Sequence, residues 1–250
     1  MANFTEFNKQ AGQYALFRPS YPPELYHYLR GLCLVGEAAY DVGTGNGQCA
    51  VDLAKHFQKV YASDLSEEQI ANALPHERVQ YFVAPAHKSP LAAGSVDLVT
   101  VATAVHWFDF DLFYAEVKRL LKSEGLLAIW AYGWHECENP EITKIFNEIG
   151  QGLLAPFWSD PPKLIWQGYK TIPFPFQEIP SPSFKMTVEW TLAQLVGYLS
   201  TWSASQKFTD RYGYHPVRDS YEDLLKIWGD PEKKLKFTSP LHLRVGKKVS

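Results

Sequence analysis

Apolar residues along the chain change their spacing near residue 133. Before that point, short blocks that are apolar almost throughout alternate with segments whose apolar positions recur at helical spacing. Ala38–Val42, Val60–Ala62 ending at Asp64, Val79–Val83, Val96–Val101 and Gly125–Trp130 read as strands. Gln48–Phe57, Ser66–Leu74 with Ser66 as cap, and Asp111–Leu121 read as the helices between them. Ahead of this series, Tyr21-Pro22-Pro23-Glu24 opens a helix to about Leu32, with Leu25, Leu29 and Leu32 as its buried stripe. Strands that are apolar on both faces and alternate with helices predict a parallel sheet covered on both sides.

After Tyr132 the pattern loosens. Pro140–Gln151 reads as a helix, and seven prolines between Pro156 and Pro182 predict loops around one strand near Thr171–Pro175. Val188–Ser200 and Ser220–Trp228 read as helices, and Leu241–Val245 as a final edge strand. The tail has no complete two-layer pattern of its own. The chain is therefore expected to form one domain: an N-terminal cap segment over 1–33, a core over 35–135, and substrate-shaping insertions with the last strands over 136–250.

Composition narrows the function. A chain of 250 residues, 46% hydrophobic and 20% charged, has apolar material for a full core and is not a disordered chain. A net charge of −3 with no dense Lys/Arg patch argues against nucleic acid as partner. No apolar run is long enough for a membrane span, and the polar start Met1-Ala2-Asn3-Phe4 is no secretory leader, so a cytoplasmic protein is expected. Cys33, Cys49 and Cys137 form no CxxC pair and are expected as reduced thiols; no metal site is expected, His135 and Cys137 being a chance pair. The unusual feature is aromatic content, 15%, with all eight tryptophans beyond residue 100. Trp130 and Trp134, just past the fifth strand, are candidates for pocket wall, and the aromatic tail is expected to cover a pocket more than to form an interface.

The strongest motif is Asp41-Val42-Gly43-Thr44-Gly45-Asn46-Gly47-Gln48, between the first strand and the next helix. Glycines there let backbone approach a ligand closely, and the helix N-terminus offers free amides. Gln48 stands where a dinucleotide fingerprint has its third glycine, and no P-loop Lys-Ser/Thr follows. Asp41 suits a cationic amine and repels a pyrophosphate. Asp64, at the end of the second strand, can bond both hydroxyls of a ribose. An amine, a ribose and an adenine together describe S-adenosylmethionine better than a nicotinamide.

Asp41–Gln48, Asp64, and Ser95-Val96-Asp97-Leu98-Val99 through His106-Trp107-Phe108 together resemble the class I S-adenosylmethionine-dependent methyltransferases, and most closely the type 11 small-molecule group that includes trans-aconitate methyltransferase and its relatives. Phe17-Arg18-Pro19-Ser20-Tyr21-Pro22-Pro23 and Tyr198-Leu199-Ser200-Thr201-Trp202-Ser203 also look like that group. The resemblance implies an α/β, Rossmann-like sheet of seven mostly parallel strands with helices on both faces and one antiparallel strand near the C-terminal end, capped by aromatic-rich N-terminal and C-terminal segments. It implies S-adenosylmethionine as cofactor, with Asp41 toward the methionine amino group through water, Gly43 and Gly45 near the methionine part, and Asp64 on the ribose. It places Leu65 and Ala86 against the adenine, and Ala102 and Thr103 beneath the sulfonium. Where the group usually has an acid after Ala86, this chain has His87.

Methyl transfer is in-line displacement at an activated carbon, so alignment and desolvation are the protein's main tasks. The lack of a Ser-His-Asp or zinc constellation does not argue against an enzyme. His106, at the functional end of an apolar strand, is the leading candidate for a base or substrate contact. Tyr14, Arg18 and Tyr21 form a second candidate set, with Arg18 able to pair a substrate carboxylate. The expected activity is methyl transfer to a small carboxylate or hydroxyl acceptor, by a monomer or a homodimer. The alternatives are a quinone or polyketide precursor as acceptor, a cofactor-binding module without transfer activity, and a nicotinamide-dependent reductase.

Overall fold

The computed structural model describes residues 20–249. Helix α1 (Pro23–Leu32) starts on proline, where a missing N–H costs nothing, and buries Leu25, Tyr26 and Leu29. Five parallel strands follow: β1 (Ala38–Val42), β2 (Lys59–Asp64), β3 (Val79–Val83), β4 (Val96–Ala102) and β5 (Leu121–Tyr132), ordered β3-β2-β1-β4-β5. Every residue of β1 and the first six of β4 are buried, as strands covered on both faces should be. Between them run α2 (Gln48–Leu53), α3 (Glu67–Ala71) and α4 (Phe110–Leu120). Ser66 caps α3 as expected, and Asp109 caps α4 by accepting from the Leu112 amide at 3.1 Å.

The sheet continues beyond β5. The last strand, β9 (Leu235–Lys247), runs antiparallel to β5, and β6 (Glu136–Cys137), β7 (Gln177–Ile179) and β8 (Phe184–Trp190) all pair with it. The expected seven-strand run is present as β3-β2-β1-β4-β5-β9-β6, with β7 and β8 added along β9. Three expectations change in this half. Leu241–Val245 is not an edge: the strand begins at Leu235, runs through Pro240, and is paired on both sides, with Leu235, Phe237, Leu241 and Val245 buried. Val188–Trp190 belongs to β8, because a capping box on Thr191 and Gln194 starts the helix α7 (Leu192–Ser200) later than the apolar run does. Thr171–Pro175 is loop, since Pro173 and Pro175 have no N–H for a ladder, and the strand forms at Gln177–Ile179.

Helices α5 (Pro140–Asn147), α6 (Asp160–Trp166), α8 (Ser203–Tyr212) and α9 (Tyr221–Trp228) complete the α-helices of the described residues. Two apolar clusters form around the sheet. One joins α1 and α2 to the aromatic C-terminal half; the other is built on α4 with Tyr169, Ile172 and Phe176. Trp130 is fully buried, with the rings of Tyr21 and Tyr26 edge-on to it at 5.5 and 6.5 Å. Trp134 packs against Phe146, Trp158, Trp166 and Trp202. Most of the aromatic excess is thus core, where large rings fill the wide space between β9 and its helices. Cys33, Cys49 and Cys137 are buried and free.

Candidate active site

β1 pairs with β2 on one side and with β4 on the other, so the connections after these strands leave in opposite directions and open a crevice at their carboxyl ends. A cavity of about 1020 Å³ lies there. Its wall follows the strand order: Ala84–His87 after β3, Asp64–Glu67 after β2, Gly43–Asn46 after β1, Ala102–Ala104 after β4, and Tyr132 at the end of β5. Tyr21, Trp107, Phe108, Asp109, Leu112 and Phe113 close the side toward α4.

The glycine loop folds as its composition demands. Gly43, Gly45 and Gly47 have φ of 67°, 57° and 85°, a region that costs side-chain-bearing residues energy. A Cβ on Gly43 would lie 2.8 Å from the Ala104 Cβ and 3.2 Å from the Phe108 ring, so the loop and the segment after β4 interlock. Asp41 is fully buried beneath the loop and is not part of the cavity wall. Its Oδ1 accepts from Thr100 Oγ1 at 2.7 Å and its Oδ2 from Thr44 Oγ1 at 2.6 Å. Burial pushes its pKa up, and the two hydroxyl bonds oppose that rise. Asp41 therefore shapes the loop from below, with both oxygens held by protein hydroxyls. Asp64 does line the cavity, its Oδ2 accepting from Gly45 N at 2.9 Å and its Oδ1 from Ser66 N at 3.0 Å. Desolvation raises its pKa against these amide bonds.

Leu65, Ala86, Ala102 and Thr103 all reach the cavity, as does His87. Thr103 has φ 55°, an outlier for a β-branched residue. Its N–H donates to the Trp130 carbonyl at 2.7 Å, and its hydroxyl is 2.9 Å from the Tyr21 hydroxyl. Strain of this kind persists where surrounding structure over-determines it, commonly at functional sites. His106 is in a short 3-10 turn, Val105–Trp107, and is buried behind the wall rather than on it. Its Nδ1 is 2.7 Å from the hydroxyl of Tyr169, itself fully buried with φ 57°. Burial lowers the His106 pKa to about 3, so the ring is neutral. Tyr14 and Arg18 lie outside the described residues.

Sequence reasoning missed Asn46, Gln69, Asp109 and Tyr132 as lining residues. Asp109 carried a legible signal as the cap before an apolar helix; Tyr132 carried none, because only strand order brings the end of β5 to the cavity. The charge of the wall tests what the crevice can hold. Asp64, Glu67 and Asp109 line it, and among the described lining residues there is no lysine or arginine. Such a wall suits a cationic sulfonium and amine and opposes the two negative charges of a nicotinamide cofactor's pyrophosphate. Among the described residues no group of three or more His, Cys, Asp or Glu is placed to hold a metal ion, and no helix is long and apolar enough to cross a membrane.

Comparison with known proteins agrees with this geometry. Residues 40–129 match a family model described as a methyltransferase domain. A Dictyostelium discoideum protein described as a methyltransferase is 33% identical over 250 residues, spanning 97% of this chain and 95% of its own. A solved structure from Anaeromyxobacter dehalogenans, described as a type II methyltransferase, is 37% identical with a TM-score of 0.87, over 93% of this chain and 99% of that one. A Saccharomyces cerevisiae protein described as an S-adenosylmethionine-dependent methyltransferase is 25% identical over 156 residues, 57% of this chain and 53% of its own.

Proposed function

From the premise that this chain belongs to the class I S-adenosylmethionine-dependent methyltransferases, with S-adenosylmethionine as its cofactor, we propose that it methylates a hydroxyl group of a small, uncharged molecule. The observation that carries the acceptor class is the composition of the cavity wall on the β4 and β5 side. It is built from the hydroxyl-bearing residues Tyr21, Thr103 and Tyr132, small Ala102 and Ala104, and aromatic Trp107, Phe108 and Phe113, with no lysine or arginine among the described lining residues. A carboxylate acceptor, as in trans-aconitate methylation, would call for a fixed cation; Arg18 is the candidate for that reading. A quinol precursor falls within the hydroxyl class.

When bound, S-adenosylmethionine supplies the activated methyl carbon, and its sulfonium needs no acid to leave. The protein's residues do the rest by position. Asp64 is placed to accept from the ribose, with Ala84–His87 beyond it for the adenine and the glycine loop on its other side for the methionine part. The Tyr21–Thr103 hydroxyl pair, held at 2.9 Å, sets the orientation of an acceptor oxygen. As the acceptor oxygen takes the methyl carbon and the carbon–sulfur bond breaks, the hydroxyl proton passes to water, because the imidazole at this end, His106, is buried with its Nδ1 on Tyr169. We assign His106 a positioning role: it fixes the turn that carries Trp107 and precedes Phe108. A cavity of about 1020 Å³ is at the upper end of ligand sites and has space for a second molecule beside the cofactor, which supports a transferase over a cofactor-binding module. The run of strands from the glycine loop to β9 in one sheet supports reading the chain as one domain.

Isotopic methyl transfer from labelled S-adenosylmethionine, screened over alcohols, phenols and quinols against small carboxylic acids, tests the proposal. Product with hydroxyl compounds and none with carboxylic acids is expected. Exclusive methylation of carboxylic acids, abolished by Arg18→Ala, would replace the hydroxyl reading with the carboxylate one.

A further inference from the structure

Helix α3 opens with a signature that normally closes on itself. In a Ser/Thr-x-x-Glu/Gln capping box, the cap hydroxyl takes the amide three residues on, and the side chain of that residue bonds back to the cap N–H. Among the described residues one complete box forms: Thr191 Oγ1 accepts from Gln194 N at 3.3 Å, and Gln194 Oε1 accepts from Thr191 N at 3.0 Å. Ser66-Glu67-Glu68-Gln69 has the same signature but forms only half of it. Ser66 Oγ accepts from Gln69 N at 3.2 Å, whereas the Ser66 N–H donates to Asp64 Oδ1 at 3.0 Å. Asp64 has taken the donor that Gln69 would have used.

The Gln69 amide is left over, and it is left over in the cavity wall. The residue is 6% exposed, its Oε1 is sealed from solvent and bonded to nothing, and it belongs to the lining next to Gly45 and Asp64. Oε1 is 3.9 Å from where a Cβ on Gly45 would stand. Buried polar atoms are almost always bonded, so this oxygen, sealed behind the cavity wall, belongs to an amide that is short of a partner. The terminal torsion of glutamine is soft, so the amide can turn its oxygen or its NH₂ toward the cavity.

We propose that Gln69 is a cofactor-binding residue whose amide shares the ribose diol of S-adenosylmethionine with the Asp64 carboxylate. This rests on the cofactor reading above. Asp64 accepts only, and each of its oxygens already holds one backbone amide. A diol presents two groups that each donate and accept, and a carboxylate beside an amide matches both functions. The position agrees: Gln69 lines the same cavity as Asp64, and its Oε1 lies 3.9 Å from where a Cβ would stand on Gly45, the residue whose amide Asp64 holds.

The test is Gln69→Met, which keeps side-chain length and removes the amide, with Gln69→Leu repeating it if the first variant aggregates. Calorimetry is run with S-adenosylhomocysteine and with its form lacking both ribose hydroxyls, and thermal melts are recorded on the free protein. The expected result is S-adenosylhomocysteine affinity about three- to tenfold weaker, an undiminished melting midpoint, and no change for the dideoxy compound. Gln194→Met is the matched control: its midpoint falls with the broken box and its S-adenosylhomocysteine affinity holds. Unchanged affinity in Gln69→Met overturns the proposal. So does a lowered midpoint with an equal affinity loss for both compounds, the mark of a structural role. No binding heat from the wild-type protein would instead reject the cofactor reading, and this proposal with it.

Discussion

Replacing His106 by asparagine should flatten the acid limb of the protein's stability curve. The imidazole is buried, and burial holds its pKa at about 3, against about 6.5 in an unfolded chain. Between those values the unfolded state binds a proton that the folded state refuses, so this group contributes stability that is full above pH 6.5 and is lost as pH falls toward 3. The slope approaches 1.36 kcal/mol per pH unit, which amounts to about 2 kcal/mol between pH 6.5 and 4.5 for this one group. Asparagine does not titrate and can keep a hydrogen bond to Tyr169, at a constant cost for lost ring packing. Asp41, Asp64, His56, His215 and His242 also have shifted pKa values, but they contribute alike to both proteins and cancel in the difference. Urea unfolding at pH 8, 7, 6 and 5 measures it: the gap between wild type and His106→Asn should narrow by about 2 kcal/mol toward the acid end. Parallel curves would mean that His106 is protonated in the folded protein, and with that the argument for a neutral, positioning imidazole fails.

Gly43→Ala places a Cβ at φ 67° and 2.8 Å from the Ala104 Cβ, so it should cost about 1–2 kcal/mol in urea melts and weaken S-adenosylhomocysteine binding more than tenfold by calorimetry. Tyr21→Phe and Thr103→Val should each lower stability, and the double variant should lose less than their sum, with a coupling of about 0.5–1.5 kcal/mol if the 2.9 Å hydroxyl pair forms in solution. Arg244→Lys loses the fork that bonds both Glu178 oxygens and the carbonyls of Tyr169 and Ile172; a stability loss of about 1–2 kcal/mol is expected, with Glu178→Gln recovering none of it.

What the sequence made legible follows from how local each determinant is. The β1 turn needs positive φ at fixed positions, and glycine announces that in a single run of eight residues. β1, β4 and the second half of β5 are buried almost throughout because both faces are covered, so these strands could be read without knowing their order. β9 was harder, because Pro240 interrupts its donors and its buried face is spread over Leu235, Phe237, Leu241 and Val245. The strand holds because partners on both sides supply the pairing, and that is a tertiary fact. The tryptophans misled for a related reason. A large ring serves a core and a pocket equally well, and nothing in the neighbourhood of Trp130 or Trp134 separates the two; only Trp107 among the tryptophans reaches the cavity.

The site divides along the same line. Asp41 and Asp64 look equivalent in sequence, one acid at the end of each of two adjacent strands. The fold separates them: hydroxyls from Thr44 and Thr100 hold Asp41 inside the protein, while Asp64 lines the cavity with one oxygen on the Gly45 amide and the other on the Ser66 amide. One carboxylate thereby fixes the shape of the glycine loop and the other ties that loop to α3. The same choice of partners releases Gln69 from its cap and leaves the Ser66 hydroxyl as the only half of the box. This part of the crevice wall is assembled by competition for backbone amides, and the competition is decided at Asp64. Charge then selects the occupant. With Asp64, Glu67 and Asp109 on the wall and no lysine or arginine beside them among the described residues, a cation entering this crevice meets attraction along its length and a pyrophosphate meets repulsion. A methyl donor with a sulfonium centre is the adenosine-bearing molecule that such a wall favours.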